Sequence, residues 1–140
     1  MDKNKIENEL IRLAKKAYNK KEIPVSALII KDNKIISKAY NKKNLNNNPI
    51  FHAEVLCIFK ACKKLKRWNL NDCILYVTLE PCDMCKEIIQ EARIKTVNYY
   101  LKKGNITNKY AQTQYEQMYV NNNTMIMENY IKNFFINLRK

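Results

Sequence analysis

The chain has 140 residues, a length that suits one compact domain, and 46% of them are hydrophobic, enough for a core. No apolar run approaches the ~20 residues of a membrane-spanning helix, and the opening MDKNKIENEL lacks the apolar centre of a secretory signal, so a cytoplasmic protein is expected. The net charge of +13 points to a polyanionic partner, most simply nucleic acid, although lysine far outnumbers arginine, a bias that an A/T-rich coding sequence would produce by itself.

In chain order, residues 6–17 place Ile6, Leu10, Leu13, Ala14 and Ala17 on one helical stripe. IPVSALII (23–30) is a β-rich run expected as a buried strand. KDN (31–33) is a turn, and KIISKAY (34–40) completes a hairpin. A polar loop, NKKNLNNNP, covers 41–49. Residues 53–65 are helical, with Val55, Leu56, Phe59 and Cys62 as the expected inner face. CILYVTL (73–79) is a strand, 82–92 a helix with Ile88 and Ile89 inward, and TVNYYL (96–101) another strand. The stretch 102–123 reads as polar loop with a helix around 110–119, and TMIM (124–127) as a short strand. Ile131, Phe134, Phe135 and Leu138 close the chain at helical spacing. Strand–helix alternation after the first hairpin predicts a single-domain α/β protein over 1–140, with a mixed five-stranded sheet and helices on both faces.

The five cysteines are Cys57, Cys62, Cys73, Cys82 and Cys85, an odd count that argues against a disulfide framework. PCDMC (81–85) lies where a strand hands over to a helix. Proline favours helix starts, and the positive end of the helix stabilises thiolates, the metal-binding form of cysteine. C-x-x-C is half of a tetrahedral zinc site. The single histidine, His52, opens a helix too, in FHAEV. A His/Cys/Cys set leaves one zinc position open, where water can bind and be acidified. Glu54, two residues on, could carry the proton. Its offset from His52 is about 200° in a regular helix, so the two share a mouth only at a frayed first turn. A structural site would want a fourth ligand from Cys57, Cys62 or Cys73, but burial in an apolar helix or strand accounts for all three.

H-x-E at one helix start, followed about 30 residues later by P-C-x-x-C at the next, is the known signature of zinc-dependent nucleobase deaminases and is matched here as such. The chain resembles bacterial tRNA-specific adenosine deaminases from about Ile6 to Leu101 and again in the last helix. EIPVSALII, the YN pair at 40–41, NPIFHAEV, LYVTLEPCDMC and FFINLRK carry the likeness. The resemblance implies a three-layer α/β/α cytidine-deaminase-like fold and hydrolytic deamination of the wobble adenosine, position 34, of tRNA to inosine. It implies one zinc ion per subunit on His52, Cys82 and Cys85, with Glu54 as proton shuttle. Asn41 would hydrogen-bond the target nucleoside. The backbone around Ala53 and the turn Thr78, Leu79, Glu80, Pro81 would line the pocket. The partners implied are a second copy of the chain, in a homodimer, and the tRNA anticodon loop crossing between subunits.

Departures from the family pattern are Ser26, where glycine is usual, Tyr100-Leu101-Lys102-Lys103 in place of a Gly-Ala-Arg-Asp-type RNA-contacting segment, and GNITNKYAQTQYEQ (104–117). Lys102, Lys103, Lys109, Arg139 and Lys140 could still hold phosphates. Two alternatives stay open. One is a deaminase of free cytosine, guanine or a nucleoside, which shares every metal residue. The other is a zinc-stabilised, non-catalytic RNA-binding module, in which Glu54 has no purpose.

Overall fold

The structure, a computed structural model, describes residues 1–103 and 113–138. The order is α1 (Lys3–Asn19), β1 (Ser26–Lys31), β2 (Lys34–Tyr40), α2 (Ala53–Leu65), β3 (Ile74–Leu79), α3 (Asp83–Glu91), β4 (Thr96–Leu101), β5 (Gln114–Gln117) and α4 (Asn122–Leu138). The strands form one mixed five-stranded sheet in the order β2-β1-β3-β4-β5. β1 is antiparallel to β2 and to β3, whereas β3, β4 and β5 run parallel. Asp32 and Asn33, with φ of 51° and 60°, make the tight β1–β2 turn. Both residue types tolerate this left-handed conformation, which matches the twist of the flanking strands.

Alternation along β1 feeds two cores. Ala27 and Ile29 face α2 and α3, together with Cys57, Ala61, Leu75, Val77 and Ile89. Leu28 and Ile30 face the other side, where Ile6, Leu10, Leu13 and Ala17 of α1 pack with Tyr100 and Met127. The expected three-layer fold and the α1 stripe are therefore present. Among the described residues no helix is long and apolar enough to cross a membrane.

Three expectations are corrected. The buried face of α2 is Ala53, Glu54, Cys57, Ile58 and Ala61; of the expected residues Leu56 and Cys62 pack partly buried against the core, whereas Phe59 is 66% exposed. Small residues let the helix lie close to β1 and β2, and Phe59 falls about 200° from both Cys57 and Ala61. The helix expected around 110–119 gives way to β5, whose residues pair in register with β4 from Thr96↔Gln114 to Tyr99↔Gln117; positions 110–112 lie outside the described residues. The strand expected at 124–127 is instead the first part of α4. A reciprocal cap starts that helix: Thr124 N–H donates to Asn121 Oδ1 at 3.0 Å, and Asn121 N–H donates to Thr124 Oγ1 at 3.2 Å. Such a cap satisfies donors that would otherwise be orphaned, and it outweighs the weak β-preference of TMIM.

Ser26 is accommodated by two buried bonds. Its hydroxyl donates to the Leu10 carbonyl at 2.6 Å, locking α1 to the sheet, and its N–H donates to Thr78 Oγ1 at 3.1 Å.

Candidate active site

Two helix starts face each other at one end of the sheet. His52 is the N-cap of α2, with extended φ −74° and ψ 155°, and Cys82 is the N-cap of α3, with φ −70° and ψ 171°. His52 therefore lies outside the helical path. The 200° offset from Glu54 does not apply, and both side chains reach the same space. His52 Nδ1 is 3.7 Å from Cys82 Sγ and 3.4 Å from Cys85 Sγ. The three ligand atoms lie within 4.8 Å of one another, and among the described residues no fourth such group lies that close to all three. A tetrahedral ion with metal–nitrogen bonds of ~2.0–2.1 Å and metal–sulfur bonds of ~2.3 Å separates its nitrogen and sulfur ligands by about 3.6 Å. The observed 3.4 and 3.7 Å bracket that value, so the residues fit a zinc-sized ion.

The electrostatics of the cluster favour one thiolate. The Cys85 thiol and then the His52 ring, as hydrogen-bond partners, hold Cys82 down at about 3. Cys85 is pushed up by the same bond to Cys82 and by burial. The bond to Cys82 raises His52. Glu54 is only 4% exposed, and its carboxyl bonds with the Cys85 thiol. Desolvation pushes Glu54 above the ordinary carboxylate range. The remaining cysteines stand apart. Cys57 packs against Ser37 Oγ at 3.2 Å and burial pushes it up to about 12, Cys73 is buried, and Cys62 is partly so.

Asn41, Ala53 and the 78–81 turn adjoin the two helix starts. Asn41 Oδ1 accepts the Ala53 N–H at 2.7 Å, which fixes the start of α2; its amide nitrogen has no partner among the described residues. Asn41 lies in a groove of about 800 Å³ whose walls include Tyr18, Lys21, Lys43, Phe134 and Phe135. In the turn before Cys82, the Thr78 hydroxyl is engaged with Ser26, Leu79 is half-buried against the α2–α3 core, and Pro81 is buried. The Glu80 carboxylate turns inward to Lys86 Nζ at 3.3 Å and accepts the Lys103 N–H at 3.4 Å. Lys102 and Lys103 are exposed, and the Lys103 charge acts on His52. Lys109, Arg139 and Lys140 lie outside the described residues.

Two supporting residues escaped the reading of the sequence. Lys86 is 1% exposed, paired with Glu80 and 4.9 Å from the Tyr115 ring centroid, so it ties α3 to the turn before Cys82 and to β5. Glu22 is 1% exposed and accepts N–H bonds from Asn44 and Leu45 at 3.0 and 2.6 Å, pinning the loop that carries Asn41. A charged residue beside an apolar strand was the available signal for Glu22. Lys86 gave none, because surface lysines abound.

A fold with two helix starts presenting His-x-Glu and Cys-x-x-Cys defines a deaminase scaffold with a candidate metal site, and the chain belongs to the MafB19-like deaminase family, whose model matches residues 1–139. It is 43% identical over 93 residues to the tRNA-specific adenosine deaminase of Rickettsia bellii, covering 65% of this chain and 64% of that one, a little under two thirds of the relative's length. A solved structure from work on A-to-I editing by tRNA:A34 deaminases superimposes with a TM-score of 0.74 at 28% identity, covering 84% of this chain and 100% of the other. Guanine deaminase from Bacillus subtilis superimposes with a TM-score of 0.68 at 40% identity, covering 73% of this chain and 66% of that one.

Proposed function

We propose that the chain is a zinc-dependent hydrolytic deaminase that converts the wobble adenosine of tRNA, position 34, to inosine. The observation that carries this reading is the His52–Cys82–Cys85 cluster with the buried Glu54 carboxyl in contact with it. The similarity to the Rickettsia bellii enzyme and to the tRNA:A34 deaminase structure supports the choice of substrate. In this proposal residues 1–140 form one deaminase domain that acts in the cytoplasm as a homodimer and binds the anticodon loop.

His52, Cys82 and Cys85 would hold one zinc ion, which when bound supplies a Lewis acid that acidifies water. Glu54, its proton affinity raised by desolvation, accepts a proton from the attacking water and delivers it to purine N1. The water oxygen bonds to C6, Glu54 takes the remaining proton from the new C6 hydroxyl and passes it to N6, the C6–N6 bond breaks, and ammonia leaves with C6 as a carbonyl and N1 protonated. Asn41 holds the start of α2 through its carbonyl oxygen and offers its amide protons to the nucleoside. Tyr18, Phe134 and Phe135 give the groove aromatic faces for neighbouring bases, and Lys21 and Lys43 give it charge. Anticodon-loop bases are already unpaired or easily splayed, which lowers the cost of extrusion.

The likeness to Bacillus subtilis guanine deaminase favours a second reading, deamination of a free base. Incubation with total tRNA, free nucleosides and guanine, followed by measurement of inosine, xanthine and ammonia, separates the two. Inosine in tRNA is expected. Xanthine from guanine, with unmodified tRNA, would replace the proposal with the second reading.

A further inference from the structure

Positive charge converges on Tyr40, on the α1 side of the sheet, where no described acid answers it. The Lys42, Lys20 and Lys16 ammonium groups lie 5.0, 5.7 and 5.9 Å from the centroid of the Tyr40 ring. Lys20 Nζ also donates to the Tyr40 hydroxyl at 3.1 Å. Lys16 is in the last turn of α1 and Lys20 is its C-cap, four residues on, and Lys42 comes from the chain just past β2. Three cations from two segments therefore crowd one ring. An aromatic face attracts cations only weakly at a surface, and the three ammonium groups repel one another through the same space.

None of the three lysines is in an ion pair among the described residues. The nearby carboxylates are engaged elsewhere. Glu9 pairs with Arg12 and Lys38, and Glu22 accepts the Asn44 and Leu45 N–H groups. The field is felt by the phenol. Burial would raise Tyr40, but the Lys20 hydrogen bond and the charges of Lys42, Lys20 and Lys16 draw it below its ordinary value. The next residue is Asn41, whose amide nitrogen is unpartnered and whose side chain helps line the groove.

We propose that Lys16, Lys20 and Lys42, gathered on Tyr40, form a phosphate cage that grips the polynucleotide backbone next to the nucleoside held at Asn41. The inference rests on the polynucleotide substrate proposed above and deepens it. A free base has no phosphate, so the cage selects chain over base and gives the basic composition a local task.

The test compares wild type with Lys16→Gln/Lys20→Gln/Lys42→Gln and with a control of equal charge loss, Lys63→Gln/Lys64→Gln/Lys95→Gln. The control positions lie towards the end of α2 and before β4, away from the two helix starts. Binding of a fluorescent anticodon stem-loop RNA is followed by anisotropy across a salt series, with zinc content measured in parallel. Each neutralised phosphate contributes about 0.7–0.9 to the salt slope. The cage variant is expected to bind at least about tenfold more weakly, with a slope lower by about two, while the control shifts little and all three proteins hold the same zinc. Lys42→Gln alone should lower the slope by about one. A cage variant indistinguishable from the control overturns the cage and leaves the tRNA reading intact. A wild type that binds no RNA and deaminates guanine overturns that reading and the cage with it.

Discussion

The His52–Cys82–Cys85 cluster owes its shape to two residues that stand just outside their helices. His52 and Cys82 are N-caps with extended backbones, and this is why a pattern that looked impossible on a regular helix, His-x-Glu facing one point, is satisfied. Local motif chemistry named these residues; only the backbone could show that the histidine precedes the first helical turn. Glu54→Gln should retain zinc by elemental analysis while turnover falls by about 10²–10⁴-fold, the usual contribution of a positioned acid–base group. Near-normal turnover would remove Glu54 from the mechanism. A second outcome concerns Cys82. Its thiol is held at about 3, below the ordinary ~8.5, so in metal-stripped protein its thiolate stabilises the fold fully above the ordinary value, and that contribution is lost as pH falls through about 3. Alkylation of stripped protein at pH ~5 should therefore label Cys82 first, detected by peptide mass spectrometry, and added zinc should protect it. Cys57, pushed up to about 12 and buried, should stay unlabelled.

Elements were legible where period and punctuation agreed. The α1 stripe, the hairpin around Asp32-Asn33 and the strands at 74–79 and 96–101 follow from pattern alone. β5 did not, because its residues, QYEQ, are polar and only half-bury Tyr115; its strand state comes from pairing with β4, a tertiary effect. α4 was half legible, since Asn121 and Thr124 form a cap that a sequence full of asparagines disguises. The link between β3 and α3 depends on the Glu80–Lys86 pair, whose side chains are 8% and 1% exposed. Lys86→Met leaves Glu80 buried and unpaired, and should destabilise the protein by about 3–5 kcal/mol in urea unfolding. The double variant Glu80→Gln/Lys86→Met should recover much of that loss. Equal instability of single and double variants would mean that the pair does not act as a unit.

At the scale of the molecule, the three layers follow from strand alternation, whereas the changeover from antiparallel to parallel pairing at β3 is fixed by which strands find each other across long stretches of chain. Net charge suggested a polyanion without saying where it would bind, because lysines scattered through a sequence carry no address until the fold gathers a few of them on one ring. α4 buries only Thr124 and Met127, while Phe135 and Leu138 are 41% and 70% exposed. Beyond Met127 in the core and the Tyr18–Tyr130 ring contact, its attachment to α1 is polar, through Asn121 and Asn123 to Glu7 and through Asn137 to Tyr18. A helix held this way opens without the sheet unfolding, so native-state hydrogen exchange should find α4 amides protected by less free energy than those of β1 and β3. Since Phe134 and Phe135 line the groove together with Asn41, each such opening also removes part of its wall. If the chain binds RNA as proposed, bound RNA should slow exchange in α4 more than in any strand, because an opened α4 withdraws aromatic side chains from the groove wall.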